Sequence, residues 1–402
     1  MSMLQPTTVL IRRPALDIRL DSFNQAYIVV AGQYFRSGAR SLAVLDAFAR
    51  PISVQAALAQ LRVFGRQDWV DLTGTIIQLY RTGALVDPAQ AEFTPDVHSF
   101  FGTPFGHISM LNDRQRTAGF VRAIQEVVQP GDVVVDIGTG TGVLAVAAAR
   151  AGAAHVYAIE AGATADVAQA IFALNEVSER ITLLRGWSTQ MELPQRADVL
   201  VGELIGSDPF VERILPVLQD ARQRFLKSQG RFLPASMKVL GLPVTIPSDQ
   251  LAAHIVQPEA LASWHKWYGI DFTPLMRLLP PATKPLRQVK SHPAAAWPIL
   301  SAPLLLAEIH FATFQDTAAE RVVTATVTQA GQLNGLAICF ELQLGTHVLS
   351  THPRLVEACS NWATPVWYFG STRTVQPGET LMIQYRYGFQ GNLSEVRLMT
   401  EA

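Results

Sequence analysis

The segment VVVDIGTGTG at residues 133–142 joins a short apolar run to three closely spaced glycines. Its first five residues are typical of a buried strand. Gly138, Gly140 and Gly142 let the backbone turn tightly and approach a ligand before a helix begins. That helix start offers unpaired N–H groups and a positive dipole end, which suit a carboxylate as well as a phosphate. The segment therefore predicts a strand–loop–helix unit that cradles part of a nucleotide-like cofactor.

The acidic residues around this loop narrow the choice of cofactor. Asp136 leads into the glycines, and Glu160 closes the next predicted strand, where its carboxylate can accept both hydroxyl protons of a ribose. The spacing is G-x-G-x-G, whereas dinucleotide sites favour G-x-G-x-x-G. We therefore expect S-adenosylmethionine. A dinucleotide site, and a turn that binds no ligand, are the alternatives that these residues leave open.

The pattern of the whole chain predicts three domains. Residues 98–233 alternate strand-like and helical runs, which is typical of a Rossmann-like, doubly wound α/β sheet. Residues 234–402 carry short β-branched and aromatic runs, which predict a mainly β domain with a helical insert. Residues 1–87 combine a strand with three helical patterns, and a polar stretch at 88–97 resembles a linker.

Composition excludes several classes of protein. The chain has 402 residues and a formal net charge of −1, which argues against nucleic-acid binding through many phosphate contacts. Apolar stretches such as residues 297–307 are shorter than the roughly 20 residues that span a bilayer. Two cysteines provide neither a disulfide framework nor a thiolate metal site. We expect a cytoplasmic protein with no membrane, nucleic-acid or metal partner.

Two glutamates follow the fourth predicted strand of the α/β domain. Glu203 lies directly after it, and Glu212 is expected in the first turn of a helix over residues 210–225. Ligands of doubly wound sheets bind at this carboxyl edge. Two carboxylates suit a guanidinium, because they grip its planar fork of donors on several edges and so orient it. The alternative is that both glutamates are solvated and Glu212 only complements a helix N-terminus.

From about Phe100 onward the chain resembles the protein arginine N-methyltransferase family. The likeness includes the glycine loop, the strand ending at Glu160, and the two glutamates nine residues apart, which resemble that family's double-glutamate loop. Residues 107–117, HISMLNDRQRT, are similar to its H-x-x-M-L-x-D-x-x-R-T helix. Residues 267–271 resemble the segment after its dimerisation arm, and residues 360–362 its Thr-His-Trp loop.

The resemblance implies a fold, a cofactor and a set of site residues. It implies a methyltransferase sheet followed by a β-barrel-like domain with a helical dimerisation arm around residues 250–290, and a homodimer. Arg116 is expected to hold the carboxylate of S-adenosylmethionine, and Trp362 to wall the guanidinium site. The predicted catalytic residues are Glu203 and Glu212; the substrate-binding residues are Trp362, Asn361, Asp113 and Met110; the cofactor-binding residues are Arg116, His107, Asp136, Gly138, Gly140, Gly142, Glu160, Ser188 and Thr189.

The chain departs from the family pattern at the substrate side. Phe100–Pro104 stands where the family has a Tyr-Phe-x-x-Tyr helix, so a tyrosine hydroxyl is missing. Leu204 and Ser207 replace a Trp and a Tyr of the double-glutamate loop. Asn361 replaces a histidine, so that any pairing with Asp113 is expected to be a neutral hydrogen bond. These changes leave the methyl-transfer machinery in place and alter the pocket for the acceptor.

Residues 1–87 are similar in pattern to winged-helix domains that bind leader peptides in ribosomal-peptide maturation. On this hypothesis an exposed strand edge near Tyr27 pairs with an extended peptide and delivers its arginine. We therefore expect arginine methylation on a peptide or protein, including a ribosomal-peptide precursor. The alternatives are methylation of free arginine or another small guanidine or amine, and a non-catalytic binding or regulatory protein with the same fold.

Overall fold

The architecture comes from a computed structural model of the chain. It describes residues 4–13, 16–20, 26–30, 33–38, 40–88, 104–212, 214–252, 254–256, 258–278, 287–290, 294–357, 360–388 and 394–399. Most of the predicted linker at 88–97 and most of the Phe100–Pro104 segment lie outside these residues. Within them, no helix is both long and apolar enough to cross a membrane.

The N-terminal region is a small α+β unit with its own hydrophobic core. Its elements are β1 (Val9–Arg12), β2 (Asp17–Leu20), β3 (Ala26–Val30), β4 (Gln33–Arg36), α1 (Ser41–Ala47), β5 (Ile52–Ser53), α2 (Val54–Gln60), α3 (Gly65–Arg81) and β6 (Leu85–Val86). The three helices pack through fully buried residues such as Phe48, Leu72 and Ile76. Ser53 is the N-cap of α2: its hydroxyl accepts from the backbone N–H of Ala56 at 3.2 Å, which satisfies one N–H at the helix start.

Tyr27 itself does not lie on an edge strand. Tyr27 lies in β3, which pairs with β2 on one side and with β4 on the other, so its backbone groups already bond to neighbours. Among the described residues, the outer strands of this sheet are β2 and β4. The winged-helix resemblance itself stays a prediction.

The α/β region is a five-stranded parallel sheet with helices, as predicted. Its elements are α4 (Pro104–Asn112), α5 (Arg114–Val127), β7 (Val133–Ile137), α6 (Val143–Arg150), β8 (His155–Glu160), α7 (Ala165–Leu174), β9 (Ile181–Arg185), β10 (Ala197–Gly202), α8 (Ile214–Phe225) and β11 (Leu226–Leu233). The strand order is β11-β10-β7-β8-β9. Every residue of β7 is buried, which accounts for the apolar residues at every position except Asp136.

The strand order places a crevice where a ligand is expected. The chain moves from β7 to β8 and β9 on one side, then returns to place β10 on the other side of β7. Gly202 pairs with Ile137, so the glycine loop and the loop that begins at Glu203 leave the sheet side by side. Such a switch point at the carboxyl edge is where open α/β sheets bind ligands.

The C-terminal region is mainly antiparallel β, as predicted. Its elements are β12 (Ser236–Val244), α9 (Ser248–Ala252), α10 (Pro258–Tyr268), β13 (Arg287–Lys290), β14 (Leu304–His310), β15 (Ala319–Thr326), β16 (Gly331–Leu344), β17 (His347–Ser350), β18 (Ala363–Val375), β19 (Thr380–Tyr387) and β20 (Glu395–Met399). One sheet has the order β13-β18-β16-β12-β14 with β17 on β16, and a second has the order β15-β19-β20. One hydrophobic core continues from the parallel sheet into this region, which fixes the two against each other.

The predicted helical insert is two helices, α9 and α10, followed by a 3-10 turn at Thr273–Leu278. Helix α10 has no buried residue, and Trp267 and Tyr268 near its end are 64% and 61% exposed. Its role as a dimerisation arm stays a prediction.

Candidate active site

A cavity of about 860 Å³ lies at the carboxyl edge of the parallel sheet, between this sheet and the antiparallel region. Residues from the glycine loop, from α4 and α5, from the loop after β10 and from the turn before β18 line it. All the predicted site residues line this cavity except Asp113, Asp136 and Gly142, which support lining residues from behind. The cavity therefore brings together chain segments as far apart as His107 and Trp362.

The glycine loop has a backbone shape that only glycine adopts easily. Gly138 and Gly142 have φ of 72° and 85°, in the left-handed region. A Cβ on Gly142 would lie 2.3 Å from Cε1 of Phe172, and a Cβ on Gly138 would lie 2.5 Å from Cδ2 of Leu204. Both backbone conformation and space therefore require glycine, and the loop stays open to a ligand.

Asp136 lies beneath the loop and supports it. Its Oδ2 accepts a hydrogen bond from the Thr139 hydroxyl at 2.5 Å, which ties the end of β7 to the loop. Its Oδ1 is buried with no hydrogen-bond partner among the described residues. Burial raises the pKa of Asp136 to about 7. Asp136 therefore supports the glycine loop from beneath it.

Glu160 holds the glycine loop from the next strand. Its two carboxylate oxygens accept the backbone N–H groups of Gly140, at 2.7 Å, and Gly162, at 2.5 Å. Each oxygen keeps a further lone pair, which can accept a hydroxyl proton of a ribose. The predicted ribose role of Glu160 is thus compatible with its structural role.

Asp113 organises the corner between α4 and α5. Its Oδ1 accepts the backbone N–H of Arg116 at 3.0 Å, so that Asp113 caps α5, and its Oδ2 accepts the backbone N–H of Asn361 at 2.8 Å. Asn361 thus pairs with Asp113 through its main-chain N–H and not through its side chain. The Asn361 side chain instead accepts from the Ser109 hydroxyl at 2.7 Å.

Arg116 projects from the first turn of α5 into the cavity. Its guanidinium forms an ion pair with Glu203, its Nη2 lies 3.7 Å from the Met110 sulfur, and its Cζ lies 5.4 Å from the centre of the Trp362 ring. Burial lowers the pKa of Arg116 to about 10, so the group stays charged at neutral pH. Its Nε is buried with no hydrogen-bond partner among the described residues. A donor thus remains for a further acceptor.

The two glutamates both line the cavity, on the loop between β10 and α8. The expectation that Glu212 lies in a helix from residue 210 is wrong, because α8 begins at Ile214 and Glu212 lies in the preceding turn. Pro209 and Gly206 within the loop favour turns over an earlier helix start. Burial raises the pKa of Glu212 to about 7, against the opposing attraction of Arg116.

Asp208, between the glutamates, is a residue that sequence reasoning missed. It is fully buried, and its two oxygens accept the backbone N–H and the hydroxyl of Ser394, each at 2.8 Å. The Tyr385 hydroxyl lies 2.9 Å from the same serine hydroxyl. Burial raises the pKa of Asp208. These bonds fasten the glutamate loop to the start of β20, 186 residues away in sequence, which no local pattern indicates.

Trp362 forms part of the cavity wall. Its indole N–H donates to the carbonyl of Ile205 at 2.7 Å, and its ring meets Phe340 edge-on at 5.1 Å. The neighbouring Ala363 N–H donates to the Ser207 hydroxyl at 2.9 Å. Both bonds hold the glutamate loop against the antiparallel region, so the aromatic wall and the carboxylates have a fixed relation.

These features fit S-adenosylmethionine. The glycine loop, the Glu160 carboxylate and Arg116 all face one cavity. The backbone of the glycine loop can lie close to the cofactor, Glu160 can bind its ribose hydroxyls, and Arg116 can bind its carboxylate. Ser188 and Thr189 form a 3-10 turn at the same cavity. Among the described residues, no group of histidines, cysteines and acids is arranged to hold a metal ion.

The fold and the arrangement of the site are similar to those of Rossmann-like methyltransferases, and known proteins share this likeness. The family model described as "Ribosomal protein L11 methyltransferase (PrmA)" matches residues 113–234. The chain is similar to the Trypanosoma brucei PRMT1 enzyme–prozyme heterotetrameric complex with AdoHcy, with a TM-score of 0.65, 20% identity, and coverage of 76% of this chain and 96% of that one. It also resembles protein arginine methyltransferase 10 of Arabidopsis thaliana, with a TM-score of 0.61, 22% identity, and coverage of 75% and 99%. These likenesses show the fold of the arginine methyltransferases.

Sequence relatives of the chain are also named as arginine methyltransferases. A "Probable histone-arginine methyltransferase CARM1" of Oryza sativa subsp. indica is 35% identical over 179 residues, which are 44% of this chain and 34% of that protein. The chain thus spans about a third of the length of this plant relative. The "Arginine N(omega)-methyltransferase" of Streptomyces achromogenes subsp. streptozoticus is 29% identical over 288 residues, which are 70% of this chain and 75% of that protein.

Proposed function

We propose that this chain is an S-adenosylmethionine-dependent N-methyltransferase that acts on the guanidino group of arginine. The observation that carries the proposal is the joint lining of one cavity by Glu203, Glu212 and Trp362, next to the glycine loop. Two carboxylates and an aromatic face are complementary to a planar cation. The cavity already accommodates one guanidinium, that of Arg116, against Glu203 and over Trp362.

The residues of the chain divide the work of such a reaction. S-adenosylmethionine would supply a methyl group bound to its sulfonium sulfur; an arginine nitrogen would attack the methyl carbon, and S-adenosylhomocysteine would be the leaving group. Glu203 and Glu212 hold the guanidinium and draw its positive charge towards the nitrogens that they contact, which leaves the remaining terminal nitrogen more nucleophilic. The new N–C bond replaces the S–C bond, and the nitrogen loses one proton. Glu212, with a pKa near 7, is suited to accept it.

The acceptor that we propose is an arginine within a peptide or protein, including a ribosomal-peptide precursor. This rests on the N-terminal unit, whose separate core is joined to a methyltransferase fold. The sheet β2-β3-β4 has β2 and β4 as its outer strands among the described residues, and an outer strand can add an extended peptide. Such a peptide would be held by its backbone while one arginine side chain enters the cavity.

Free arginine, or another small guanidine or amine, is the second candidate. The Streptomyces relative supports it, because the name of that protein specifies arginine and the match covers 75% of it. Ser207 and Leu204, in place of the aromatic residues of the family loop, also change the acceptor side. A non-catalytic binding protein is the third candidate, and the presence of Asp136, Glu160, Glu203 and Glu212 argues against it.

Competition between acceptors distinguishes these candidates. The full chain is incubated with radiolabelled S-adenosylmethionine and one of three acceptors: L-arginine, an arginine blocked at both its amino and carboxyl groups, or arginine-containing peptides. For a peptide enzyme, kcat/KM is expected to increase from free arginine to blocked arginine to peptide. The reverse order supports the free amino acid, because blocking removes the charges that a small-molecule site would recognise. Absence of transfer to every acceptor supports the non-catalytic candidate.

We further propose a homodimer in the cytoplasm. Trp267 and Tyr268 on α10 are exposed, and so are Val167 and Leu174 on α7. Packing α10 of one copy on α7 of a second copy would bury both apolar surfaces. Light scattering of the W267A/Y268A double variant should give a monomer mass where the unaltered chain gives a dimer. A monomer from the unaltered chain at micromolar concentration contradicts this.

A further inference from the structure

Arg50 joins the N-terminal unit to the rim of the cofactor cavity. It follows α1, and its Nε donates to the backbone carbonyl of Thr189 at 2.8 Å. Its guanidinium also forms an ion pair with Asp220 on α8. Thr189 lines the cavity, so the Arg50 side chain of the N-terminal unit contacts a residue that would itself face the cofactor.

A second arginine holds the same turn from within the α/β region. Arg224 donates through Nε to Asp220 at 3.0 Å and through Nη2 to the carbonyl of Ser188 at 2.7 Å. Its Nη1 also donates to the carbonyl of Met191. The carboxylate of Asp220 thus links two guanidiniums, which together hold three carbonyls of the segment 188–191. The backbone of this cavity wall is therefore fixed from outside the cavity.

The backbone around Arg50 is itself firmly placed. The carbonyl of Phe48, a fully buried residue, accepts the N–H of Arg12 in β1 at 2.7 Å. Ile52, two residues after Arg50, pairs with Leu10 in the same strand. Pro51 restricts the intervening backbone. Arg50 therefore moves with the core of the N-terminal unit, and a shift of that unit is transmitted to Thr189.

We propose that Arg50 is a positioning residue that couples the N-terminal unit to the affinity for S-adenosylmethionine. The proposal rests on the cofactor site proposed above. With Arg50 in place, the turn at 188–190 is held in one arrangement before the cofactor binds, so less ordering is needed on binding. Because such coupling is reciprocal, the bound cofactor also stabilises the docking of the N-terminal unit. A peptide bound to the N-terminal unit would therefore change the affinity for S-adenosylmethionine.

The test compares Arg50→Ala with Arg40→Ala. Arg40 is the matched control, because it lies in the same unit, is 43% exposed where Arg50 is 44% exposed, and also pairs with an aspartate, Asp68. Calorimetry measures the Kd of S-adenosylhomocysteine, and steady-state kinetics measure KM for S-adenosylmethionine and kcat. We expect Arg50→Ala to raise Kd and KM about fivefold with kcat within about twofold, and Arg40→Ala to change neither. Arg50→Lys keeps one donor and should give an intermediate Kd.

Hydrogen exchange measures the coupling between the N-terminal unit and the cofactor cavity at both of these regions. In the unaltered chain, S-adenosylhomocysteine should slow amide exchange in residues 48–53, and in Arg50→Ala this slowing should disappear while residues 186–191 exchange faster. An unchanged Kd in Arg50→Ala, or an equal change in Arg40→Ala, overturns the proposed coupling. Failure of the unaltered chain to bind S-adenosylhomocysteine overturns the cofactor site instead, so the two failures are distinguishable.

Discussion

The guanidinium of Arg116 is paired with the carboxylate of Glu203. It also lies over the Trp362 ring, so it occupies the surroundings that the proposed function assigns to the substrate guanidinium. A cofactor carboxylate would compete with Glu203 for Arg116 and so release Glu203 towards the substrate. Arg116 therefore connects the cofactor half of the cavity to the acceptor half.

Arg116→Lys should weaken cofactor binding and leave the fold in place. Lysine keeps the charge beside Glu203, which avoids the roughly 3–5 kcal/mol that an unpaired buried carboxylate costs, but it lacks the planar fork that grips a carboxylate on two edges. We expect KM for S-adenosylmethionine to rise about tenfold or more. Measuring KM alongside the melting temperature separates the two effects. An unchanged KM contradicts the role of Arg116 in cofactor binding.

Glu203→Gln should lower turnover. The amide keeps the shape of the side chain but removes the charge that holds the acceptor guanidinium, so we expect kcat to fall at least about a hundredfold. Cofactor affinity should not fall, because the neutral amide competes less than the carboxylate for Arg116. Glu259→Gln on the exposed face of α10 is the control for loss of one negative charge. Equal turnover of Glu203→Gln and the unaltered chain shows that Glu203 does not act on the reacting group.

Activity should rise with pH through about 7. Burial raises the pKa of Glu212 to about 7, so the carboxyl is protonated below this pH and becomes the required carboxylate above it. Arg116, with a pKa of about 10, stays charged across this range. We expect kcat/KM for the acceptor to be about tenfold lower at pH 6 than at pH 8.

Asp136 also has a pKa raised to about 7, so its titration must be separated from that of Glu212. The Kd of S-adenosylhomocysteine over the same pH range isolates the cofactor side. A rise in kcat/KM at saturating S-adenosylmethionine with no matching change in this Kd assigns the rise to the acceptor side. A flat profile between pH 6 and pH 8 contradicts the role of Glu212.

Weakening the hydrogen bonds between Asp208 and Ser394 should impair catalysis without removing any cavity residue. Ser394→Ala removes the hydroxyl that donates to Asp208 at 2.8 Å and leaves the backbone N–H bond in place. Loss of one buried hydrogen bond costs roughly 1–3 kcal/mol of folding free energy, which a melting temperature will show. We expect kcat to fall about fivefold while KM for S-adenosylmethionine changes little, because the glutamates move and the cofactor loop does not. A lower melting temperature with unchanged kcat shows that the bonds between Asp208 and Ser394 only stabilise the fold.

Local pattern was sufficient for the elements that position the cofactor. The mainly apolar strand β7, the glycines that follow it and Glu160 are short-range signals, since their chemistry is visible within 28 residues of sequence. The double-glutamate loop required resemblance, because spacing alone left solvated glutamates as an alternative. The sequence predicts a helix start at residue 210, whereas α8 begins at Ile214. The apolar spacing of residues 210–225 does not show where the first helical hydrogen bond forms.

Contacts between residues far apart in the sequence could not be predicted from local patterns. The bond of Asp208 to Ser394 and that of Arg50 to Thr189 each join residues more than a hundred positions apart. Neither pair carries a motif, and both depend on the packing of one domain against another. The pairing of β3 on both sides likewise depends on β4, whose four residues give a weak strand pattern.

The most direct test of the central claim is the chemical position of the transferred methyl group. The unaltered chain is incubated with S-adenosylmethionine carrying a ¹³C-methyl group and with the best arginine-containing acceptor, and the product is examined by NMR and tandem mass spectrometry. The proposed function predicts the label on a terminal guanidino nitrogen, and labelling at least about a hundredfold slower when Glu203→Gln replaces the unaltered chain. Label on a carbon or an oxygen, with the guanidino nitrogens unmodified, contradicts it.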